Sequence, residues 1–399
     1  MKLVQFGAGK IGRSFIGQLF HAAGYEVVFV DIDASLVGLL NEAGGYRVVI
    51  KSVEGDEVLQ VDRIRAHQLN AADAVADEIS SADIAAISVG MDGSEALIPV
   101  LARGLQQRRE SHPAWPLDII LAENMRNAAA FYLNALAGYL PDDFELETNV
   151  GLIETSIGKM VPIMTTADLR EDPLQVFAEP YNTLIVDGKA FRNAVPEVPG
   201  LEAKENMKAW VDRKSFIHNL GHAAAAYYGH YLFPKAVFLW EVLQNADVRA
   251  FCLNTMREAS EALLREYPGV FTETQLREHA GDLLRRFRNA ALGDTLFRVG
   301  RDLRRKTGPN DRIAGALQLA LLHGTSWAGI LTTLVHAMHF AALDQDSKPY
   351  IPDLEFQAEM GKDIAKVLES HVNLDRKRYS MVFDRAVQIE YNLYNRRIK

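Results

Sequence analysis

Leu3-Val4-Gln5-Phe6-Gly7-Ala8-Gly9-Lys10-Ile11-Gly12-Arg13 is the stretch from which the fold of this chain is read. A short apolar run over residues 3–6 stops at three glycines spaced Gly7-x-Gly9-x-x-Gly12, and a helical pattern covers residues 13–23. Gly24 ends that pattern, and residues 25–30 form a second strand-like run that closes on Asp31. Strand, glycine turn, helix and strand in about thirty residues make one βαβ unit. In that setting each glycine has a task. Gly7 permits the tight turn, Gly9 lets the backbone approach a pyrophosphate, and Gly12 lets helix and strand pack closely. Free N–H groups at the helix start suit phosphates, with Lys10 and Ile11 inside the same turn. A carboxylate at Asp31 would hold both ribose hydroxyls and repel a 2′-phosphate, which favours NAD over NADP. Asp33 is a lesser candidate for that task.

Further strand candidates lie at residues 47–50, 84–89 and 117–121, with helical patterns at 94–107 and 125–139 between and after them. This alternation predicts a Rossmann-type α/β domain on a parallel sheet. Ser88-Val89-Gly90 and Glu123-Asn124-Met125 follow two of the strands, where the ligand crevice of an open sheet lies. Ser88, Val89 and Asn124 are therefore candidate cofactor contacts, although strand-end turn chemistry accounts equally well for Ser88.

After about residue 190 the rhythm changes. Val195-Pro196-Glu197-Val198-Pro199-Gly200 reads as a connecting loop. Long helical patterns follow at 206–229, 246–267, 273–289, 311–323 and 326–343. We expect a dinucleotide-binding domain over 1–192 and an all-helical substrate domain over 193–399.

The 399 residues are 48% hydrophobic and 24% charged, ordinary for a globular protein with an ample core. A formal charge of -9 argues against a nucleic-acid or anionic-membrane partner. The single cysteine, Cys252, excludes an intramolecular disulfide and a thiolate zinc site. No leader pattern precedes the first strand, and no apolar run approaches the ~20 residues of a membrane span. These features together lead us to expect a cytoplasmic protein. His336-x-x-His339 lacks a nearby carboxylate and reads as a packed core pair, so no metal site is expected.

The helical half opens with Lys214-Ser215-Phe216-Ile217-His218-Asn219-Leu220-Gly221-His222, an amine, a carboxamide and an imidazole in one stretch. On an α-helix Asn219 would lie about 140° and His222 about 80° around from Lys214. All three can face one cleft, where they suit proton transfer at a hydroxyl that becomes a carbonyl. Further along, Arg301-Asp302-Leu303-Arg304-Arg305-Lys306 concentrates positive charge in a net acidic chain. A solvated face is the commoner fate of such a run, but arginine forks also match phosphate geometry. Arg301, Arg305 and Lys306 are taken as substrate contacts.

With these motifs in this order, the chain resembles the polyol-specific long-chain dehydrogenase/reductase family. The resemblance rests on the residues 6–13 turn, Glu123-Asn124-Met125, Lys214-x4-Asn219-x2-His222, and Arg298-Val299-Gly300-Arg301 through Arg305-Lys306 to Asp311-Arg312. It covers most of the chain but weakens over the final fifty or so residues. It implies NAD-dependent, metal-independent oxidation of a secondary alcohol to a ketone by a monomer. In it Lys214 is the general base, and Asn219 and His222 polarise the reacting oxygen. A free lysine titrates near 10.4, so a base at neutral pH needs burial or a neighbouring cation. By the same resemblance Glu154 lies beside that lysine, where it either relays the proton or caps a helix. Asp187 aligns with a polyol-binding acid. Where the family usually carries Asp-Arg, this chain has Gly158-Lys159, losing a carboxylate and a bidentate fork. The expected substrate pair is mannitol 1-phosphate and fructose 6-phosphate. A free polyol or a hexuronate would suit the same chemistry, and an NAD-sensing protein without catalysis is the rival from another class.

Overall fold

The structure is a computed structural model that describes residues 1–123, 125–361 and 363–397, without the side chains of 91, 92 and 394–397. The chain forms two compact units, Met1–Trp210 and Val211–Lys399.

The first unit is built on a sheet whose strands are β1 (Lys2–Phe6), β2 (Glu26–Asp31), β5 (Ile64–Gln68), β6 (Ile84–Ile87), β7 (Leu117–Leu121), β8 (Val150–Ile157), β10 (Leu184–Asp187) and β11 (Leu201–Lys204). Their order is β11-β10-β8-β7-β6-β1-β2-β5. All neighbours are parallel except β8 and β10. Side-chain alternation explains why the central strands are apolar throughout. Leu3, Val27 and Phe29 enter the core on one face, and Val4, Phe6, Val28 and Val30 enter the core on the other. A strand covered on both faces has no use for a polar side, which is the mark of a parallel sheet between helices.

Residues 47–50 do form a strand, but outside that sheet. They lie in β3 (Gly45–Lys51), which pairs antiparallel with β4 (Asp56–Asp62) and parallel with β9 (Val176–Ala178) in a separate three-stranded sheet. A four-residue turn joins β3 to β4, too short for the crossover that parallel pairing needs. The division expected at 192/193 falls within the first unit. The loop containing Pro196 and Pro199 leads back to the sheet, where β11 pairs with β10.

Register positions the crevice. Val30, Phe6, Ile87, Leu121 and Glu154 lie in one row across five strands. Phe6, Ile87 and Leu121 are the last residues of their strands. The glycine turn, Ser88-Val89-Gly90 and Ala122-Glu123 therefore leave the sheet side by side. The order in which strands are added reverses here, between the parallel neighbours β1 and β6, as in open sheets that bind ligands at their carboxyl edge.

The second unit is helical among the described residues, apart from an isolated bridge between Phe238 and Thr295. Its centre is the helix Ala246–Glu266, packed by Leu220–Leu232, Glu273–Phe287, Ala314–His323 and Ala328–Met338. Val248, Cys252, Thr255, Met256, Ala259, Ala262 and Leu263 give it a buried face at helical spacing. Asn245 caps its start through Asp247 N and Val248 N, and a Thr272–Gln275 capping box starts the next helix. Among the described residues no helix is long and apolar enough to cross a membrane.

Candidate active site

At the glycine turn each glycine has a different reason. Gly7 sits at φ +88, its N–H donates to Val30 O at 2.8 Å, and a Cβ there would meet Ser88 O at 2.4 Å. A Cβ on Gly12 would fall 1.9 Å from Gly7 O. Around Gly9 a Cβ would meet nothing within 4 Å. Gly7 and Gly12 are thus demanded by the protein itself, whereas no protein atom demands Gly9, which borders open space. Lys10 is exposed and Ile11 half-buried beside it.

Two buried side chains that sequence reasoning passed over hold this turn. Gln5 donates from Nε2 to Phe6 O at 2.6 Å and to Ser88 Oγ at 2.9 Å. Arg13 donates from Nε to Ala8 O at 2.7 Å and from Nη1 to Leu174 O. Burial pulls its guanidinium below the ordinary arginine value, against the pull of nearby Asp31 and Asp172. A polar residue in an apolar strand was the available signal for Gln5.

Asp31 accepts from Ala8 N at 2.7 Å and Asp33 N at 3.0 Å, so it braces the turn as it faces the crevice. A carboxylate has about four acceptor sites, so ribose hydroxyls can still be taken. Asp33 instead caps the helix Ala34–Ala43 through Ser35 N and Leu36 N. Glu123 accepts from Val89 N at 2.8 Å and Gly90 N at 3.0 Å. Burial raises its carboxyl despite those two donors. Asn124 lies outside the described residues.

In the second unit the Lys214 stretch is not α-helical. Lys214–Asn219 is a π-turn, continuous with Met207–Arg213 before it and Leu220–Leu232 after it. This corrects the angle expected above. In a π-turn the hydrogen bond runs from i to i+5, so Asn219 returns to the face of Lys214 instead of lying about 140° away. The x4 spacing, awkward for an α-helix, is the natural one here. Such π-turns recur at functional sites. Lys214, Asn219 and His222 are half-buried, whereas His218 is buried and held well below the ordinary histidine value by desolvation and surrounding cations. A Cβ on Gly221 would strike Met256 Sδ at 2.4 Å, and Cys252 Sγ donates to Gly221 O at 3.2 Å. The glycine lets the helix bearing His222 sit flush on Ala246–Glu266.

The His222 ring stacks on Phe287, with centroids 4.7 Å apart and planes 15° from parallel. Its Nε2 lies 3.2 Å from Asp294 Oδ2, an ion-pair distance approached off the N–H axis. Burial lowers the imidazole below its ordinary value and Asp294 only partly offsets this, so the ring is neutral at pH 7. Asp294 is buried and also contacts Arg298. Burial acts to raise its carboxyl, but His222 and Arg298 outweigh that and hold it low. Asp294 escaped the sequence reading. Its one trace was a carboxylate four residues ahead of an arginine.

The structure brings other candidates to different neighbours. Glu154 accepts from Ala129 N at 3.1 Å, in the first turn of the helix Ala128–Ala137. It thus makes the helix-cap bond that was one of its two readings. Asp187 accepts from Lys189 N at 3.0 Å and shapes the turn after β10. Lys159 is buried, with Nζ donating to Asn182 Oδ1 at 2.9 Å. Arg305 lies between Asp302 and Asp311, at 2.5 Å and 3.1 Å. Lys306 is buried and donates to Val299 O at 2.7 Å and to Arg301 O. Burial, then Arg312 and Arg305, push that amine down to about 7. Arg301 is exposed and lies 5.5 Å from the Phe297 ring and 5.6 Å from the Tyr350 ring.

The solved structures that share this fold include two that match over 99% of the chain. One is a substrate-free D-sorbitol dehydrogenase, 14% identical, with a TM-score of 0.81 over 99% of this chain and 93% of the other. The second is Pseudomonas fluorescens mannitol 2-dehydrogenase in a ternary complex with NAD and D-mannitol, 16% identical, with a TM-score of 0.73 over 99% and 91%. Sequence-family comparison matches residues 1–200 to the mannitol dehydrogenase Rossmann domain and residues 206–383 to the mannitol dehydrogenase C-terminal domain. On these two matches, which between them span nearly the whole chain, the protein belongs to the mannitol dehydrogenase family.

Proposed function

We propose that the protein is an NAD-dependent oxidoreductase that interconverts a secondary alcohol of a polyol and the corresponding ketone. The observation that carries this is the π-turn, which puts Lys214 and Asn219 in register just ahead of His222. NAD would be held by Gly7, Gly9, Lys10, Ile11, Gly12, Asp31, Ser88 and Val89. The open space at Gly9 and the braced carboxylate of Asp31 both fit it. When bound, it supplies the hydride acceptor for alcohol oxidation.

The chain's own residues handle the proton and the oxygen. Lys214 takes the hydroxyl proton as general base, a role worth about 10²–10⁴ in rate. The Asn219 amide donates to the oxygen as negative charge gathers there, and the ammonium formed on Lys214 adds a second donor. Neutral His222 orients the reacting end of the substrate. Glu154 holds the start of the helix Ala128–Ala137.

For the substrate we favour mannitol 1-phosphate and fructose 6-phosphate, as in a mannitol-1-phosphate 5-dehydrogenase. Support comes from the basic run, in which Arg301 is an exposed arginine fork. A second reading, the free polyol pair, has its own support. Arg305 and Lys306 already have carboxylate and carbonyl partners, which leaves less charge for a phosphate dianion. The test is NADH consumption with fructose 6-phosphate and then with fructose. Turnover of the phosphate alone supports the first reading and turnover of fructose alone the second. Activity lost in Lys214→Ala with NADH binding retained supports the base. Activity retained in that variant removes it.

A further inference from the structure

We infer that Asp294 is a positioning residue for His222, keeping the ring proton on Nε2 so that Nδ1 is a hydrogen-bond acceptor for a substrate hydroxyl. This rests on the proposed function above and assigns His222 a role different from polarising the carbonyl. Four observations lead to it.

The first is the fixity of the acid. Asp294 is 4% exposed, its carboxylate is engaged by Arg298, and its carbonyl accepts from Leu239 N at 2.8 Å. Asp294 also starts the short segment leading into the helix Leu296–Gly300, whose cap is Thr295. The second is the fixity of the ring, held flat against Phe287. Stacking leaves a ring flip as the main alternative pose. The third is the asymmetry of the two nitrogens. Nε2 is sealed from solvent, 3.2 Å from Asp294 Oδ2, although the side chain as a whole is 16% exposed. Nδ1 has no hydrogen-bond partner among the described residues, so the accessible edge of the ring carries it.

The fourth is electrostatic. A neutral imidazole has one N–H and one lone pair. Its lone pair placed against an ionised carboxylate would be repelled, and its N–H placed there is attracted. The carboxylate thus selects the tautomer, as acids behind functional histidines commonly do. The remaining nitrogen can only accept. It cannot donate to a carbonyl or an alkoxide, so those donors are Asn219 and Lys214. It can accept from a hydroxyl on a neighbouring carbon, a group that every polyol and ketose offers.

Two measurements test this on the full-length protein. Side-chain ¹⁵N–¹H correlation spectra at neutral pH report the His222 tautomer without any turnover, the signal being assigned by its loss in His222→Gln. The Nε2–H form is expected, and an Nδ1–H form overturns the inference whether or not the enzyme turns over. Kinetics then separate Asp294→Asn, which keeps an acceptor oxygen, from Asp294→Leu, which does not. We expect kcat to fall on the order of tenfold in the first and hundredfold in the second, with NADH binding unchanged. Folded variants with wild-type kcat overturn it. Wild-type protein that turns over no ketose refutes the proposed function instead, and the spectra still decide the tautomer.

Discussion

Gly9 and Gly12 are three residues apart, and the structure assigns them opposite kinds of necessity. Gly12→Ala places a methyl 1.9 Å from Gly7 O and 3.1 Å from Gly7 C. Those are backbone atoms of a residue at φ +88, tied to Val30 O by a 2.8 Å bond. Relief requires the turn to open by more than an ångström. Overpacking costs about 1–3 kcal/mol, and the strained bond adds about 1 kcal/mol. For a 210-residue unit at about 2–4 °C per kcal/mol, the melting temperature should fall by roughly 4–16 °C. Gly9→Ala meets no atom within 4 Å and has no left-handed backbone to lose. Its stability should change by less than about 0.5 kcal/mol. On the proposed cofactor site, however, its methyl would stand where a pyrophosphate approaches backbone N–H groups. Losing one bond to a charged group is worth about 1.5–3 kcal/mol, or roughly 10–150-fold in Kd. Thermal melts and NADH fluorescence titrations of the two variants check both halves. Wild-type NADH affinity in Gly9→Ala would refute the reasoning, and so would a Gly9→Ala protein that melts as low as Gly12→Ala.

Four further outcomes are expected. Lys214→Ala should lower kcat by about 10²–10⁴ with a smaller change in KM, read by NADH consumption. Asp118, buried in β7, accepts from Arg192 N at 2.7 Å, Asn193 N at 3.0 Å and Asn193 Nδ2 at 2.9 Å. Asp118→Ala should therefore destabilise by about 2–4 kcal/mol, measured by urea unfolding, and an unchanged midpoint contradicts the role. Lys306→Met removes the donor that holds two carbonyls and should cost about 1–3 kcal/mol; the same melt reads it, and added stability would argue that burying the amine was itself the larger penalty. Finally, burial lowers His218 and takes His279 down to about 3. The unfolded chain binds protons that these rings refuse. Stability should thus fall as pH drops below about 6.5, by on the order of 1–2 kcal/mol per ring at pH 5 and less for the partly exposed His279. A flat urea midpoint from pH 7 to 5 would count against it.

What was legible in the sequence follows from where side chains have no alternative. β1, β2, β6 and β7 are covered on both faces, so they read as apolar runs. The glycines of the turn stand out because no other residue fits Gly7 or Gly12. The edge strand β5 reads Ile-Arg-Ala-His-Gln, a half-polar pattern that does not announce a strand. β4, with its exposed Asp56 and Glu57, is similar. The loop with Pro196 and Pro199 looked like a linker because its return to the sheet depends on pairing with β10, a contact no local pattern encodes. The Lys214 motif was legible as chemistry but not as geometry, since one surplus residue per turn leaves no trace in composition. The basic run shows its charge in sequence, and Asp302 lies inside it, but that Asp302, Asp311, Glu359 and two carbonyls engage its cations is seen only in space.

The hydrogen bond from Cys252 to Gly221 gives the molecule a built-in reporter. Cys252 is the sole thiol, fully buried, and burial pushes it up to about 12. In the folded state it is protonated and shielded, so a maleimide or disulfide reagent reacts only when the packing around Ala246–Glu266 opens, its contact with the helix carrying His222 included. Its labelling rate in native buffer therefore reports how often this buried seam opens. No fluorophore has to be introduced and no second cysteine removed.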